Sequence, residues 1–465
     1  MISLNYYKKK LVGVYGLGIT GVAAIEALVF GGASVIAWDD NDSVMESMKD
    51  LLYEKGELSI AFHKSHLRFQ RPSEEELQKM YSIVVSPGIP ICYPYVSKYI
   101  LFAREHNIAL VSDIELLQVA QPAASYIGIT GTNGKSTTTA LVGHILQFAG
   151  VKTEVGGNIG NPALALSELQ LGDVYTMEVS SFQLDLFSNM RFDIAIALSI
   201  KPDHIDRHGS FENYFESKKK IFAHQDMLDH AVVSVNSGYA MLDWLSEQKR
   251  QNIIAVSSNK LLNNGVSFIS SKIIDKYFTG CEYDFEAPES LLGEHNAENI
   301  AAAFSAASLI GVAPELIMEA IRHFKALPHR MEVFHRTCDL RFINDSKATN
   351  SDAAYWALKT FDNIYWVLGG ICKDDGIAAL SEFFSKVKHA FLIGKAADDF
   401  AKTLEDYGVQ YTISGDMQNA IKQIKSMNLK SGNILLSPAC ASQDQWKNYE
   451  ERGAKFKELI LEIYS

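Results

Sequence analysis

Cysteine is scarce in this sequence, and its distribution excludes two kinds of stabilised scaffold. The five cysteines are scattered through 465 residues, are odd in number and never form a CxxC pair. A disulfide framework or a structural zinc site requires paired, closely spaced cysteines, so neither is expected. A reducing compartment, the cytoplasm, fits this composition best.

Long apolar runs are also missing. The more apolar stretches, such as Ile194–Ile200, are far shorter than the ~20 residues that a membrane-spanning helix needs. The polar and basic start, Met1–Lys10, is followed only by the short apolar run Leu11–Val14, which does not fit a signal peptide. We therefore expect no membrane span and no secretion signal.

The charge balance lacks the basic excess of a nucleic-acid-binding protein. The formal net charge is −12, so wholesale binding to nucleic acid is disfavoured and any phosphate site must be local. Apolar residues make up 47% of the chain and charged residues 21%, as in a soluble globular enzyme. We expect a monomer that acts on small molecules.

The length predicts several domains, because single hydrophobic cores stop growing at roughly 250 to 300 residues. Strand-like runs alternate with helical stretches, which predicts parallel α/β layers. Prolines at Gln121-Pro122 and Leu327-Pro328 interrupt the alternation of strands and helices. We predict domains at residues 1–121, 122–327 and 328–465. The expected fold class is α/β, with a Rossmann-like first domain, a P-loop ATPase-like central domain and a Rossmann-like third domain.

Individual strands can be placed by their apolar runs. In the first domain a helix over Gly21–Phe30 follows the first strand. The predicted strands are Leu11–Tyr15, Ser34–Trp38, Ile83–Val85, Tyr126–Thr130, Val174–Met177, Ile194–Leu198, Val232–Val235, Phe342–Ile343, Ile364–Leu368, Phe391–Ile393 and Ile434–Leu436.

The segment Gly131–Thr137, GTNGKST, follows a predicted strand and opens a helix. In that setting backbone N–H groups and the positive end of the helix converge on an anion. Lys135 would reach the outer phosphates of a nucleotide, and the hydroxyl of Ser136 would bind its magnesium ion. Ile129 stands where the common GxxxxGK[ST] spacing has glycine, so the loop is a variant of that motif. The alternative is a glycine turn with a solvated lysine.

A second glycine motif, Gly16–Gly21, also follows a strand, as in dinucleotide-binding sites. Asp39, at the end of the next strand, could bind a ribose. Ribose and diphosphate also occur in UDP-linked compounds, and the glycines could serve only a tight turn. The motif alone therefore leaves the nucleotide open.

Polar groups follow two strands of the central domain. Glu178–Ser181 and Asp203–Arg207 lie where open α/β sheets bind ligands. Glu178 is a suitable magnesium ligand and His204 a less usual one, although each could be a satisfied surface group.

Two helical pairs add further candidates. Tyr214 and Lys218 are four residues apart and share a helix face, where Lys218 is either a solvated lysine or a carbamate that binds metal. Asn296 and Asn299, one turn apart, could read an adenine edge or cap a helix.

Taken together, several motifs resemble the Mur ligase family and span nearly the whole chain. They are Gly131–Thr137, Gly156–Gly160, Glu178–Ser181, Asp203–Arg207, His295-Asn296 and His329-Arg330. Within that family, Asn344–Asn350 and Ser437–Trp446 look like segments of the members that add D-glutamate. The resemblance implies an ATP-dependent amide ligase of peptidoglycan synthesis, acting on UDP-N-acetylmuramoyl-L-alanine through an acyl phosphate.

The resemblance also implies roles for individual residues. ATP would be bound by Gly131, Thr132, Asn133, Gly134, Lys135, Ser136, Thr137, Asn296, Asn299, Arg330, Asp345 and Lys347. The UDP-linked substrate would be bound by Gly18, Ile19, Thr20, Asp39 and Asn158, and D-glutamate by Thr349, Lys373, Ser442 and Tyr449. The catalytic groups would be Lys135, Glu178, His204, Lys218 and Arg330. Two magnesium ions would be held by Ser136, Glu178, His204 and a carbamylated Lys218.

Three alternatives share parts of this pattern. A folylpolyglutamate synthase has the same glycine loop and metal groups but a different first domain. A nicotinamide-dependent oxidoreductase would use Gly16–Gly21, and a P-loop switch protein would use Gly131–Thr137 without chemistry on a carboxylate.

Overall fold

The computed structural model of the protein describes residues 2–53, 66–237, 240–337, 339–372 and 376–464. The chain divides into two compact units, Met1–Phe285 with Glu298–Ile321, and Glu286–Ala297 with Arg322–Ser465. The first unit contains two sheets and the second contains one. In the described ranges, none of the helices has the length and apolar character that a bilayer crossing requires.

The first sheet is a parallel, Rossmann-like layer. Its strands are β1 Leu11–Tyr15, β2 Ser34–Trp38, β3 Leu67–Phe69, β4 Ser82–Val85 and β5 Ala109–Val111, with helices α1 Ile19–Phe30, α2 Asp42–Tyr53, α3 Glu74–Gln78, α4 Lys98–Glu105 and α5 Asp113–Ala120. In the described chain the strand order is β3-β2-β1-β4-β5, and every pair is parallel. The loops after β1 and β4 therefore flank the point where the strand order reverses, the usual ligand position in such sheets.

The second sheet carries the central glycine loop. Its strands are β6 Ser125–Thr130, β7 Thr153–Gly157, β8 Val174–Glu178, β9 Ile194–Ala197, β10 His230–Ser234, β11 Asn252–Ser257, β12 Val266–Ile269, β13 Lys272–Asp275 and β14 Glu282–Asp284. The helices that follow are α6 Lys135–Phe148, α7 Ser181–Leu184, α8 Ile205–His208, α9 Phe211–Lys219, α10 Ala240–Gln248, α11 Glu294–Leu309 and α12 Pro314–Arg322. The order of the described strands is β14-β13-β12-β11-β10-β9-β6-β8-β7. Because β9 and β8 flank β6 in parallel, their carboxyl ends lie on either side of the glycine loop.

The third sheet forms the core of the second unit. Its strands are β15 Glu332–Thr337, β16 Asp339–Asn344, β17 Ile364–Gly369, β18 Val387–Ile393, β19 Tyr411–Gly415 and β20 Ser431–Leu436, with helices α13 Ser351–Thr360, α14 Ala397–Asp406, α15 Met417–Ser426 and α16 Tyr449–Tyr464. Within the described ranges the order is β15-β16-β20-β17-β18-β19, parallel except for β15 with β16. Two apolar clusters cover the faces of this sheet.

The structure confirms the predicted α/β class and each predicted strand, with shifted ends. Central parallel strands are buried on both faces, so they read as continuous apolar runs. Two of these shifts bear on the site: Glu178 is the last residue of β8 rather than the residue after it, and β9 ends at Ala197 rather than at the predicted Leu198. The helix predicted over Gly21–Phe30 begins two residues earlier, at Ile19. The predicted domain boundaries fall between α5 and β6 and between α12 and β15, and stay a prediction.

Candidate active site

The glycine loop after β6 forms an anion-binding turn. Gly134 caps α6 in the left-handed conformation, with φ of 81°, which a side chain disfavours. The ammonium group of Lys135 folds back on the loop and donates to the carbonyl oxygens of Gly131 at 3.0 Å and Thr132 at 2.8 Å. Ser136 is buried in the first turn of the helix. The backbone N–H groups at this helix start are oriented as a phosphate site requires.

Lys218 lies beneath this loop and is 1% exposed. Its amine donates to the hydroxyl of Thr130 at 3.0 Å, and that hydroxyl donates to the carbonyl of Val179 at 2.7 Å. Burial lowers the pKa of the Lys218 amine well below its ordinary value, and the neighbouring Lys135 lowers it further. The alternative of a solvated lysine is therefore wrong, because the Lys218 side chain is buried at the end of β6.

Glu178, at the end of β8, is held by the loop after β7. Asn158 donates its side-chain amide to Glu178 Oε1 at 2.9 Å, and its backbone N–H donates to the Glu178 carbonyl at 2.9 Å. Glu178 is 2% exposed. Asn158, which is predicted to contact the substrate, therefore also orients Glu178, the predicted metal ligand.

His204 follows β9 in a left-handed conformation, with φ of 52°. Its backbone N–H donates to Asp203 Oδ1 at 2.9 Å, and its Nε2 lies 3.5 Å from Asp203 Oδ2. Desolvation lowers the pKa of the imidazole, Asp203 opposes this shift, and the cations of Lys135 and Lys218 add to it. A neutral imidazole is the form that binds a metal.

Lys135, Asn158, His204 and Lys218 meet at one cavity of about 200 Å³ in the first unit. It is lined by Lys135, Asn158, Ser180, Ser181, Phe182, His204, Tyr214 and Lys218. Phe182 was missed in the sequence; its ring contacts His204 edge-on at 5.0 Å between centroids. The sequence alone does not show which aromatic residues line a cavity, so Phe182 could not be found before the fold was known.

Two side chains beside the glycine loop have the chemistry of magnesium ligands. They are the carboxylate of Glu178 and the hydroxyl of Ser136, and magnesium prefers anionic and neutral oxygen ligands. In the described part of the chain, no three His, Cys, Asp or Glu side chains are clustered to hold a metal ion. The donor types present fit magnesium, which usually keeps several waters as further ligands.

The loop after β1 is braced by two side chains. Ser86 donates to the Gly16 carbonyl at 2.6 Å. Asp39 accepts the backbone N–H of Leu17 at 2.9 Å on one oxygen and that of Asn41 at 2.9 Å on the other. Ser86 was missed, and Asp39 fixes the loop rather than pointing unpaired to a ligand. Gly18, Ile19 and Thr20 start α1, where Ile19 is 72% exposed.

A partly buried arginine connects this first layer to the central one. Arg207 donates to the carbonyls of Ile89 at 2.6 Å and Pro87 at 3.2 Å, in the loop after β4. Its guanidinium also lies over the ring of Phe182, 4.9 Å from the centroid. The Asp203–Arg207 segment thus joins the loop after β4 to Phe182, which follows β8.

The helix α11 holds the two predicted asparagines. Asn299 belongs to the first unit, and its Oδ1 accepts the Thr138 hydroxyl at 3.1 Å. Asn296 belongs to the second unit and donates to the Leu292 carbonyl at 2.8 Å. Glu298, missed in the sequence, accepts the Ser199 N–H at 2.6 Å and so braces the loop after β9.

In the second unit, Asp345 follows β16 and is buried. It accepts the Ser437 hydroxyl at 2.8 Å and the Met331 N–H at 3.1 Å. Burial raises the pKa of its carboxyl to about 7, while these hydrogen bonds and Arg330 oppose the shift. Lys347 lies over the Tyr449 ring, 5.2 Å from its centroid.

The most buried cation of this region had no sequence signal. Arg452, on α16, is 0% exposed and donates to Ser346 Oγ at 3.0 Å, to the Ser346 carbonyl at 2.7 Å and to the Cys440 carbonyl at 3.0 Å. It thereby joins the loops after β16 and β20. Of the predicted D-glutamate contacts, Ser442 is buried and Thr349 half-buried, whereas Lys373 lies outside the described residues.

Comparison with known protein families gives matches over both later domains. The model of the Mur ligase middle domain matches residues 129–307, and the model of the Mur ligase glutamate ligase domain matches residues 329–440.

Curated relatives match over nearly the full length. UDP-N-acetylmuramoylalanine–D-glutamate ligase of Rickettsia bellii is 37% identical over 468 residues, covering 99% of each chain. The protein of the same name from Rickettsia felis is 38% identical over 462 residues, covering 98% of each chain. That from Caulobacter vibrioides is 36% identical over 475 residues, covering 99% of this chain and 97% of the relative.

Solved structures share the fold at low identity. The UDP-N-acetylmuramate-alanine ligase MurC of Thermotoga maritima superposes with a TM-score of 0.59 at 14% identity, covering 97% of this chain and 99% of that one. The MurF ligase of Thermotoga maritima, in complex with ADP, gives 0.59 at 15% identity, covering 100% and 98%.

Proposed function

Because the chain belongs to the Mur ligase family, and within it to the UDP-N-acetylmuramoylalanine–D-glutamate ligases, we propose that it uses ATP to join D-glutamate to UDP-N-acetylmuramoyl-L-alanine. This is a cytoplasmic step of peptidoglycan synthesis. The product is a new amide bond, with ADP and phosphate released.

The reaction needs two displacements, because a carboxylate oxygen is a poor leaving group. The alanine carboxylate first attacks the γ-phosphorus of ATP, which forms an acyl phosphate and releases ADP. The amine of D-glutamate then attacks the acyl carbon and phosphate leaves. Both steps gain from fixed positive groups at the developing charge.

The cavity beside the glycine loop supports this chemistry. Lys135 stands at the loop's phosphate position and neutralises the transferred group, while Gly131–Thr137 cradle it with backbone N–H groups. Ser136, Glu178, His204 and a carbamylated Lys218 would hold magnesium, in a proposed set of two ions. When bound, magnesium would supply charge neutralisation on the phosphate oxygens.

Lys218 is suited to carbamylation because a neutral amine attacks carbon dioxide and a protonated amine does not. Its 1% exposure and the nearby Lys135 both disfavour the ammonium form. The resulting carbamate restores a favourable charge balance beside Lys135. His204, as a metal ligand, would then not act as a general base.

The remaining substrate contacts are proposed from the resemblance to the family. Gly18, Ile19, Thr20 and Asp39 face the loops at the strand-order reversal of the first sheet and hold the UDP group, together with Asn158. By the same resemblance, Asn299 in the first unit is a proposed nucleotide contact, and so are Asn296, Arg330, Asp345 and Lys347 in the second unit. The incoming D-glutamate is held by Thr349, Lys373, Ser442 and Tyr449.

The single observation that carries the proposal is the cavity that brings Lys135, Asn158, His204 and Lys218 together. It is tested by phosphate release with ATP, magnesium and UDP-N-acetylmuramoyl-L-alanine, comparing D-glutamate with L-glutamate, glycine and diaminopimelate. Strict dependence on D-glutamate is expected. Equal rates with the L isomer, or release without any acceptor, would contradict it.

The variant Lys135→Ala should abolish turnover and leave the unfolding transition unchanged. Lys152→Ala is a matched control, because its side chain is 59% exposed and its ion pair with Asp173 is long, at 3.6 Å. If folded Lys135→Ala protein ligates at a near-normal rate, the glycine loop does not bind the transferred phosphate as proposed. Binding of reduced nicotinamide, followed by fluorescence, tests the oxidoreductase alternative, which the full-length relatives do not favour.

A further inference from the structure

Two cysteines of the second unit face each other across a short antiparallel bridge. Ile371 and Ala441 exchange both backbone hydrogen bonds, each 2.9 Å long. In an antiparallel register the next opposed pair is then Cys372 with Cys440. Such a pair is not hydrogen-bonded to itself and its Cα atoms lie about 4.5 Å apart, within the range that a disulfide spans.

The surroundings bring the two side chains together. Cys440 is 0% exposed and belongs to the apolar cluster on one face of the third sheet, and half-buried Cys372 packs against the same cluster. A Cβ on Gly370 would lie 3.0 Å from the Cβ of Cys440, so the chain before Cys372 passes directly over it. Burial raises the pKa of the Cys440 thiol to about 12, and the adjacent Cys372 adds to the shift.

We propose that Cys372 and Cys440 form a reversible redox pair that a low-molecular-weight disulfide oxidises to an internal disulfide bond. The more exposed Cys372 thiolate attacks one sulfur of the oxidant, which forms a mixed disulfide and releases one thiol. The Cys440 sulfur then attacks Cys372 Sγ and releases the second thiol. Both protein thiols lose their protons and one electron each, and the oxidant is reduced to two thiols.

The pair connects two loops that the backbone bridge already brings together. Cys372 lies in the loop after β17, whereas Cys440 lies in the loop after β20, where its carbonyl is held by Arg452. Ser442, a proposed D-glutamate contact, is two residues beyond Cys440. This consequence rests on the proposed function: a covalent link here shifts the glutamate loop and raises the KM for D-glutamate.

The chemical part is tested without any turnover. The full chain is incubated with oxidised glutathione, blocked with N-ethylmaleimide, digested without reductant and mapped by mass spectrometry. We expect a linked pair of peptides containing Cys372 and Cys440, lighter by two hydrogens than their sum and separated by dithiothreitol. The link forms faster at higher pH, because the attacking groups are thiolates.

Two variants and one control identify the pair. Cys440→Ser should leave Cys372 as a glutathione adduct, and Cys372→Ser, at the half-buried position, should give no link and no adduct at Cys440. Cys281→Ser is the control, because Cys281 is exposed and its loss should leave the link intact. Recovery of both cysteines as separate N-ethylmaleimide adducts after prolonged oxidation of the wild-type chain would overturn the proposal.

The functional part uses the same oxidised and reduced samples. Oxidation should raise the KM for D-glutamate about tenfold or more, since misplacing a binding group by ~1 Å costs up to ~10²-fold. The Cys372→Ser protein should keep its KM after the same treatment. A linked enzyme with unchanged KM would overturn the effect on the site. A reduced enzyme that does not ligate at all would count against the proposed function, and the peptide map would still decide the disulfide.

Discussion

The glycine that caps α6 offers a quantitative test of the phosphate loop. Gly134 has φ of 81°, and a Cβ placed on it would lie 2.3 Å from Asn299 Oδ1. Gly150, after the same helix, has nearly the same φ of 80° but no atom within 4 Å of its Cβ position. Gly134→Ala and Gly150→Ala therefore introduce the same backbone strain, but only the Gly134→Ala side chain would clash with Asn299.

The expected magnitudes follow from that difference. An alanine in the left-handed region costs about 1–2 kcal/mol, so both variants should lose that amount of unfolding free energy. In Gly134→Ala the new Cβ would lie 2.3 Å from Asn299 Oδ1, whereas an ordinary contact begins at 3.4 Å. One of the two atoms must therefore move by about 1 Å. The shift also weakens the Thr138–Asn299 hydrogen bond, worth about 0.5–1.5 kcal/mol. A phosphate cradle displaced by ~1 Å should lower kcat/KM for ATP about 100-fold.

Two measurements separate the contributions. Urea unfolding gives the stability of each variant, and phosphate release at varied ATP gives kcat/KM. Gly150→Ala should retain the wild-type kcat/KM. Adding Gly134→Ala to the Asn299→Ala variant should lower kcat/KM for ATP by a smaller factor than adding Gly134→Ala to the wild-type protein. The reasoning is refuted if Gly134→Ala turns over ATP as Gly150→Ala does.

Three further outcomes are expected. Arg452→Met should lower the unfolding free energy by roughly 3 kcal/mol, because it leaves buried carbonyls without donors, whereas exposed Arg250→Met should change it little in the same urea titration. Asp39→Ala should raise the KM for the UDP-linked substrate but not for ATP, and Asp42→Ala, with its side chain 81% exposed, should raise neither. The pKa of Asp345 is raised from 3.8 to about 7, so the native state binds more protons between these values and the unfolding free energy falls as pH rises through that window. Asp345→Asn should remove this part of the slope, and an unchanged slope would contradict it.

Local pattern was sufficient for much of the fold and for the phosphate loop. The central strands were found because parallel strands buried on both faces are continuous apolar runs, as in Ile194–Ala197. The antiparallel strands β12 to β14 at the edge of the second sheet were not predicted, since half-exposed edge strands lack such runs. Gly131–Thr137 carries its own signal, because strand, glycine turn, lysine and helix are contiguous.

The electrostatic state of the site required tertiary structure. Lys218 is buried where its amine, carried by α9, reaches the Thr130 hydroxyl at the end of β6. A run of three lysines gave no hint that burial lowers the pKa of the first. Arg452 bonds with residues 106 positions and 12 positions away, a pairing that local spacing does not encode. Cys372 likewise lies opposite Cys440 only because a backbone bridge joins two loops that are far apart in sequence.

The buried guanidinium of α16 has a consequence for local opening of the second unit. One side chain satisfies carbonyl oxygens in the loops after β16 and β20, so unwinding the start of α16 would leave both carbonyls buried without this donor. The two loops and the start of the helix should therefore open together. Their backbone amides should exchange hydrogen with a common protection factor.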